Sequence, residues 1–458
     1  MEYFKKISWL FFSLFKRSRR ECIHSNKQWR VEEFPTLGSK ISVLVLLGLL
    51  PSFSFSQIKD QVYKDHIQSV RLFPVGTEYD SQLDAPVVSI SDQRPLMLYF
   101  DDIAYDPALY TAKLIHCDAN WEKSQLKDND FLNTFNQFNV QDFDYSVNTR
   151  IPYIHYFFQV PKVTKSGNYV LKVYSERNEE DVILTKRFMV FEELFAVGAS
   201  IVPPSQTSQR KNGQQINVVV NYSKGEVMNP QNQVKVILRQ NQRWDNAKFL
   251  QAPTFINEST KMMRFESFDG SNTFNAGNEF RFVDLRFMRA TGMNVAAVDV
   301  QDDVIYATAK IDTPRPQESY SQYLDLNGQY IVYTNDRPGG DPEIESEYML
   351  TTFRLAIPEQ STPIYLLGSM TSWGNSPDAK LAWNKDLKVY ESTLLLKQGW
   401  YDYQYGVQKE GVFDTLPFEG AYFETENEYE VMVYFRALGS RYDQLVGYVY
   451  LHPNRRRL

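Results

Sequence analysis

The chain has 458 residues, of which 43% are apolar and 15% aromatic, with 21 Gly and 21 Pro. That composition excludes a wholly disordered chain and is enough for two to four domains of about 100–200 residues each. The formal net charge is −7, which argues against a nucleic-acid partner, because phosphate binding needs clustered Lys and Arg.

In chain order, the first element is an apolar run from Ile41 to Leu50 within SKISVLVLLGLLPSFSFSQ, Ser39 to Gln57. It is shorter than the roughly 20 residues a membrane span needs. A lysine precedes it and small residues follow, the pattern of a secretory signal peptide cleaved between Ser56 and Gln57. With the basic lead ahead of it, either the true start lies downstream or the segment before the apolar run is unusually long; the alternative reading is an uncleaved N-terminal anchor. Taking away residues 1–56, with nine basic and four acidic side chains, leaves 40 basic and 52 acidic residues. The remaining chain is acidic, has no second long apolar segment, and is expected to be exported. Cys22 goes with the leader and Cys117 stays alone, so no internal disulfide can form. Cys117 is expected as a small buried apolar residue.

From Gln57 to about Phe195 the pattern is strand. HIQSVRLFPVG, PLMLYFDDI, YTAKLIHCDANW, YIHYFFQVP and GNYVLKVYS are short, aromatic and β-branched, and turn residues separate them. Lys165 to Tyr169, KSGNY, reads as a tight turn. The interruption from Glu122 to Arg150 is polar with spaced phenylalanines and reads as a long functional loop. Ala196 to Gly213 reads as a linker or opening turn. A second β pattern follows in INVVVNYS, QVKVILRQN, FRFVDLRF and VIYATAKI. A third runs from about Thr351 to the end in PIYLLG, VYESTLLL, YDYQYGV, EYEVMVYFR and LVGYVYL. No long helical period occurs. The expected fold is all-β: tandem immunoglobulin-like or early-set sandwiches after a cleaved signal peptide, divided as 1–56 leader, 57–195, 196–350 and 351–458.

No catalytic or cofactor constellation appears. His66, His116, His155 and His452 share no metal-ligand spacing. His116 and His155 fall on apolar strands, where a satisfied core or edge histidine is the expectation. There is no G-x-S-x-G, Walker loop or G-x-G-x-x-G opening a helix. DNDF and DFDY lack the glycine and closing glutamate of a calcium loop. The protein is expected to be no enzyme and to hold no metal or cofactor.

Two stretches carry a family resemblance. VRLFPVG, HCDANW (His116 to Trp121), YSVNTRIPYIHYFFQVP (Tyr145 to Pro161) and SGNYVLKVY resemble the N-terminal domain of the type IX secretion system plug family of Bacteroidetes. YFRALGSRYDQLVGYVYL, Tyr434 to Leu451, is similar to that family's closing segment. The resemblance implies a periplasmic protein, peripheral to the membrane at the inner face of the outer membrane. It would cap the periplasmic mouth of a large outer-membrane secretion barrel and prevent leakage. Candidate contacts with that barrel are Phe131, Phe135, Phe138 and Phe143 in the long loop, and Arg436, Arg441 and Tyr442 near the end. Aromatic and arginine anchors, rather than total area, dominate such interfaces.

YLLGSMTSWG, Tyr365 to Gly374, with LKQGWYDYQYGV downstream, is similar to early-set glycogen-binding modules. There an aromatic pair stacks on sugar rings and a lysine bonds hydroxyls. Trp373 matches the first aromatic, but Gln404 stands at the lysine position and Phe413 near the second tryptophan. Trp373 is a residual sugar-type position, and carbohydrate is not expected as a partner. The alternative function is a periplasmic or surface glycan-binding protein.

Overall fold

The strand Gly167–Ser175, GNYVLKVYS, is buried along nearly its whole length, because it lies between Tyr110–Cys117 and Val182–Phe191 in the middle of a sheet. A central strand covered on both faces has no polar side to show. Leu96–Asp102 alternates more, as a strand with one face on the core does. The computed structural model describes residues 57–452 apart from 77–78, 92–93, 251 and 410. The expected signal peptide, with Ser56 on one side of its cleavage point, lies outside the described residues, which open at Gln57.

The first sandwich has one sheet ordered Gln61–Val62, Val182–Phe191, Gly167–Ser175, Tyr110–Cys117, Phe138–Val140, with Val87–Ser89 added parallel to Val182–Phe191. The facing sheet is Ile67–Pro74, Leu96–Asp102, Ile154–Gln159, Phe143–Tyr145. Leu98, Phe100, Leu114, Tyr156 and Leu171 fill the space between them. The turn before the central strand needs its glycine. Gly167 has φ +138, and a Cβ there would stand 2.7 Å from His116 Nε2.

A second sandwich begins with Ala196–Val202, Gly213–Asn221, Met262–Phe265 and Phe255–Asn257. Ala196–Val202, expected in a linker, is therefore a strand. The facing sheet is Lys248–Leu250, Val234–Gln240, Tyr429–Phe435, Gln444–Leu451. Val218, Val236, Phe265, Val431 and Val433 form the core between these sheets. The chain's last two strands thus close the second sandwich.

The strands between build a third sandwich, inserted in the second. One sheet centres on Gly399–Lys409, which pairs with Arg281–Asp284, Tyr330–Val332, Ile364–Leu367 and Val412–Asp414. The other is Val295–Val300, Ile305–Ala309, Tyr348–Leu355, Val389–Lys397, Ala382–Asn384. Phe353, Leu366, Leu394, Tyr403 and Tyr405 lie between them.

The all-β sandwich reading agrees with this architecture, while the bound at 350/351 needs correction. It falls inside the strand Tyr348–Leu355, and the strands assigned to close a terminal domain instead pair with Val234–Gln240. Alternation along a segment marks a strand and its buried face but carries no information on which distant strand it joins.

The long loop also holds more structure than expected: a helical turn at Asp128–Phe131 and the edge strands Phe138–Val140 and Phe143–Tyr145. Among the described residues no helix is long and apolar enough to cross a membrane.

Candidate functional site

Of the four phenylalanines expected to reach a partner, three serve the first sandwich. Phe131 ends the helical turn, is 1% exposed, and sets its ring 5.9 Å from His116 and 5.6 Å from Tyr169. Phe138 and Phe143 are half-buried and close the sheet edges against Phe158 and Tyr156. Phe135 is 78% exposed. A large apolar ring left in water contributes nothing to the core.

Arg436, Arg441 and Tyr442 lie on the connection between Tyr429–Phe435 and Gln444–Leu451. Arg436 Nε donates to Asp443 Oδ1 at 2.7 Å. Asp443 is itself buried and also accepts from the backbone of Ala119. Arg441 Nη2 donates to Asp130 Oδ2 at 3.0 Å. The Tyr442 ring meets His116 edge-on at 5.4 Å. Burial pushes His116 down to about 4, so the ring is neutral there, with Nδ1 2.8 Å from Ser124 Oγ. The two candidate regions, far apart in sequence, are therefore neighbours. His116 touches both Phe131 and Tyr442, and Asp130 joins Arg441. Leu438, at the apex of the same connection, is 86% exposed and was absent from the sequence-based candidates. Its signal was there to read: a leucine inside the turn sequence RALGSR.

Trp373 sits differently from a sugar platform. The chain leaves Ile364–Leu367, makes a 3-10 turn at Ser369–Thr371, and passes through Ser372 and Trp373 with φ 48 and 55. Thr371 Oγ1 donates to Leu366 O at 2.9 Å and fixes the turn. The guanidinium of Arg243 lies 4.5 Å over the Trp373 ring, and Phe280 meets it edge-on at 6.0 Å. Stacking on a sugar needs a free aromatic face, and one face here carries Arg243. Gln404 is buried, its Nε2 donating to Asn278 O at 2.8 Å. Phe413 packs edge-on against Tyr365. Trp373 and Phe413 line one cleft, but Gln404 does not join them there.

Two of the contacts that join the sandwiches contrast in chemistry. Between the first and second, Cys117, Trp121, Val170, Met189, Ile237, Met432, Tyr434 and Leu445 form an apolar core. Cys117 is buried as expected, and burial pushes its thiol up to about 12. Between the first and third the contact is ionic. Arg71 holds Glu343 with both ends of its guanidinium. Asp101 accepts from Lys397 Nζ at 2.6 Å, from Tyr348 at 2.7 Å, and pairs with His155 Nδ1 at 2.6 Å. Lys397 Nζ also donates to Glu343 O. Burial alone would raise Asp101, but Lys397 and His155 outweigh it and hold its carboxyl down to about 2. His155 is thus a core histidine, as expected, with a charged partner that sequence alone did not supply.

With this geometry in place, comparison with known proteins is specific in one region. Residues 67–192 match the family model for the first domain of the type 9 secretion system plug protein. The matched segment covers the first sandwich from Ile67 to just beyond Phe191. The crystal structure of a hypothetical protein from Parabacteroides merdae is similar over 87% of this chain and 100% of its own, at 27% identity and TM-score 0.80. All three sandwiches thus recur together in a second protein. A marsupial T cell receptor aligns over 80% of this chain and 97% of its own at 10% identity, but its TM-score of 0.14 says nothing about this fold. No curated protein matches the chain.

Proposed function

We propose that the protein is a non-enzymatic plug of type IX secretion. It sits in the periplasm, peripheral to the inner face of the outer membrane, and caps the periplasmic mouth of the large secretion barrel. The observation that carries this reading is the match of residues 67–192 to the plug first domain. The mechanism is occlusion. Three sandwiches joined by an apolar core and a buried ionic cluster make a body that resists deformation, while exposed connections supply the contacts. Phe135, Leu438 and Arg441 are the exposed groups offered to the barrel, beside Arg436 and Tyr442, which brace the same connection. Phe131, Phe138 and Phe143 hold the loop rather than the partner.

Co-purification from detergent-solubilised membranes tests this. A tagged protein that brings down a very large outer-membrane barrel supports the plug. Retention on polysaccharide without any barrel would replace it with a glycan-binding role.

A further inference from the structure

Arg187 is out of keeping with the other buried arginines. Arg71, Arg239 and Arg243 each face a carboxylate, from Glu343, Glu430 and Asp245, with the latter two pairs at 2.6 and 2.5 Å. Arg187 is 5% exposed, yet no carboxylate forms a salt bridge with it among the described residues. Its Nε donates to Ile58 O at 2.6 Å. Its guanidinium carbon lies 4.5 Å from the centre of the Trp121 ring and 5.5 Å from that of Trp244. Nη2 is buried without a hydrogen-bond partner. The two ring centres are only 4.9 Å apart, so both rings lie to one side of the guanidinium; Nε is fixed and Nη2 is unanswered. Burial pushes the group down to about 10, and the nearby charge of Asp60 offsets it only in part. A buried cation without a partner is costly, and proteins keep one where something else supplies the anion.

That something has room to bind. Arg187 lines a cleft of about 410 Å3 where all three sandwiches meet, within the size range of small-molecule sites. Its walls include Trp244, Tyr330, Trp373 and Phe413. Ser369, from the third sandwich, also lines it, and its Oγ has no hydrogen-bond partner. Arg187 Nη2 can only donate and the Ser369 hydroxyl can donate as well as accept, so an acceptor answers both. The guanidinium fork matches an oxyanion with two oxygens in one plane. Asp60, Asp84 and Asp245 line the same cleft. Asp60 already accepts from the Arg187 backbone at 2.6 Å and Asp245 is held by Arg243. Their negative charge disfavours a dianion such as phosphate. The aromatic walls favour an apolar body behind the charge.

We propose that this cleft binds a carboxylate carried on an aromatic or apolar body, with the carboxylate on the terminal edge of Arg187. Two sources share that chemistry: a free organic acid and the carboxyl end of a peptide chain. The site is separate from the barrel-facing candidates and does not depend on the plug reading.

Calorimetric titration of the full chain tests it with four probes: phenylacetate, N-acetylphenylalanine, N-acetylphenylalanine amide and inorganic phosphate. Saturable binding of an acid, with the amide and phosphate weaker by at least about tenfold, is expected, because a charge-assisted bond contributes more than an ordinary one. Tighter binding of N-acetylphenylalanine than of phenylacetate assigns the site to a chain end, and equal binding assigns it to a free acid. Arg187→Gln should weaken the acid by about tenfold or more. The acid and amide differ in charge at one group, so their comparison in the unaltered protein decides the question even where Arg187→Gln fails to fold. Equal binding of acid and amide, preference for phosphate, no binding of either acid at about 10 mM, or unchanged affinity in folded Arg187→Gln would each overturn the proposal.

Discussion

Lys397 Nζ lies 2.6 Å from Asp101 Oδ2, with both side chains fully buried, and the contact joins the inserted third sandwich to the first. Each ion is held by more than the other. Asp101 also meets Tyr348 and His155, and Lys397 also reaches Glu343 O and stands 4.1 Å over the Tyr153 ring. A pair this deeply buried is sensitive to losing one member, because the survivor remains charged and unpaired.

Lys397→Met should therefore destabilise the protein by ~3–5 kcal/mol. Urea unfolding followed by tryptophan fluorescence measures it. A change below ~1 kcal/mol would mean that Asp101 is satisfied without the lysine.

Asp402 gives a pH dependence of defined sign. Burial raises its carboxyl from 3.8 to about 8, even though it accepts from the backbone of Leu326 and from Trp400 Nε1 at 3.0 Å. Asp325 is raised too, by burial and by the charge of Asp402. With a folded value above the unfolded one, the native state keeps a proton that the unfolded chain has already lost. This contribution is fully present below the unfolded value of 3.8 and is lost as pH rises through about 8. The urea midpoint should fall across that window, and less steeply in Asp402→Asn. Equal slopes in the two proteins would contradict the assignment.

How much of this was legible depends on the residue. The buried strand Gly167–Ser175 and the turn before it could be read from GNYVLKVYS, because a continuous apolar run flanked by turn residues carries its own evidence. The pairing of Val234–Gln240 with Tyr429–Phe435 could not, since strand partners are chosen by the packing of the whole chain. Phe131 and Phe135 looked alike in sequence. One caps the core and the other points to water, a difference set by a four-residue helical turn. Asp101 and Lys397 did leave a trace, as charged residues at the ends of the apolar runs LMLYF and STLLL. Nothing in either run identified the other as its partner.

The exposed residues separate docking from folding. Phe135→Asp and Leu438→Asp should leave the unfolding midpoint nearly unchanged, as substitutions at exposed positions do. Both should reduce recovery of the barrel in co-purification. Phe131→Ala should instead cost ~3–5 kcal/mol of stability. Full barrel recovery by the Phe135→Asp, Leu438→Asp double variant would remove this surface from the proposed contact.

Trp373→Ala should lower stability, because it removes the support of Arg243 and Phe280. Titration of the full chain with maltoheptaose should give no saturable change in tryptophan fluorescence. A saturable quench that Trp373→Ala abolishes would restore the glycan-binding alternative.

Permeability of the outer membrane tests the central claim most directly. Deleting the protein should admit a large antibiotic that is normally excluded, while secreted cargo still leaves the cell. Deleting the secretion barrel as well should restore the barrier, since an occluder matters only where its pore exists. Leakage that persists after the barrel is removed would show that the protein does not plug that pore.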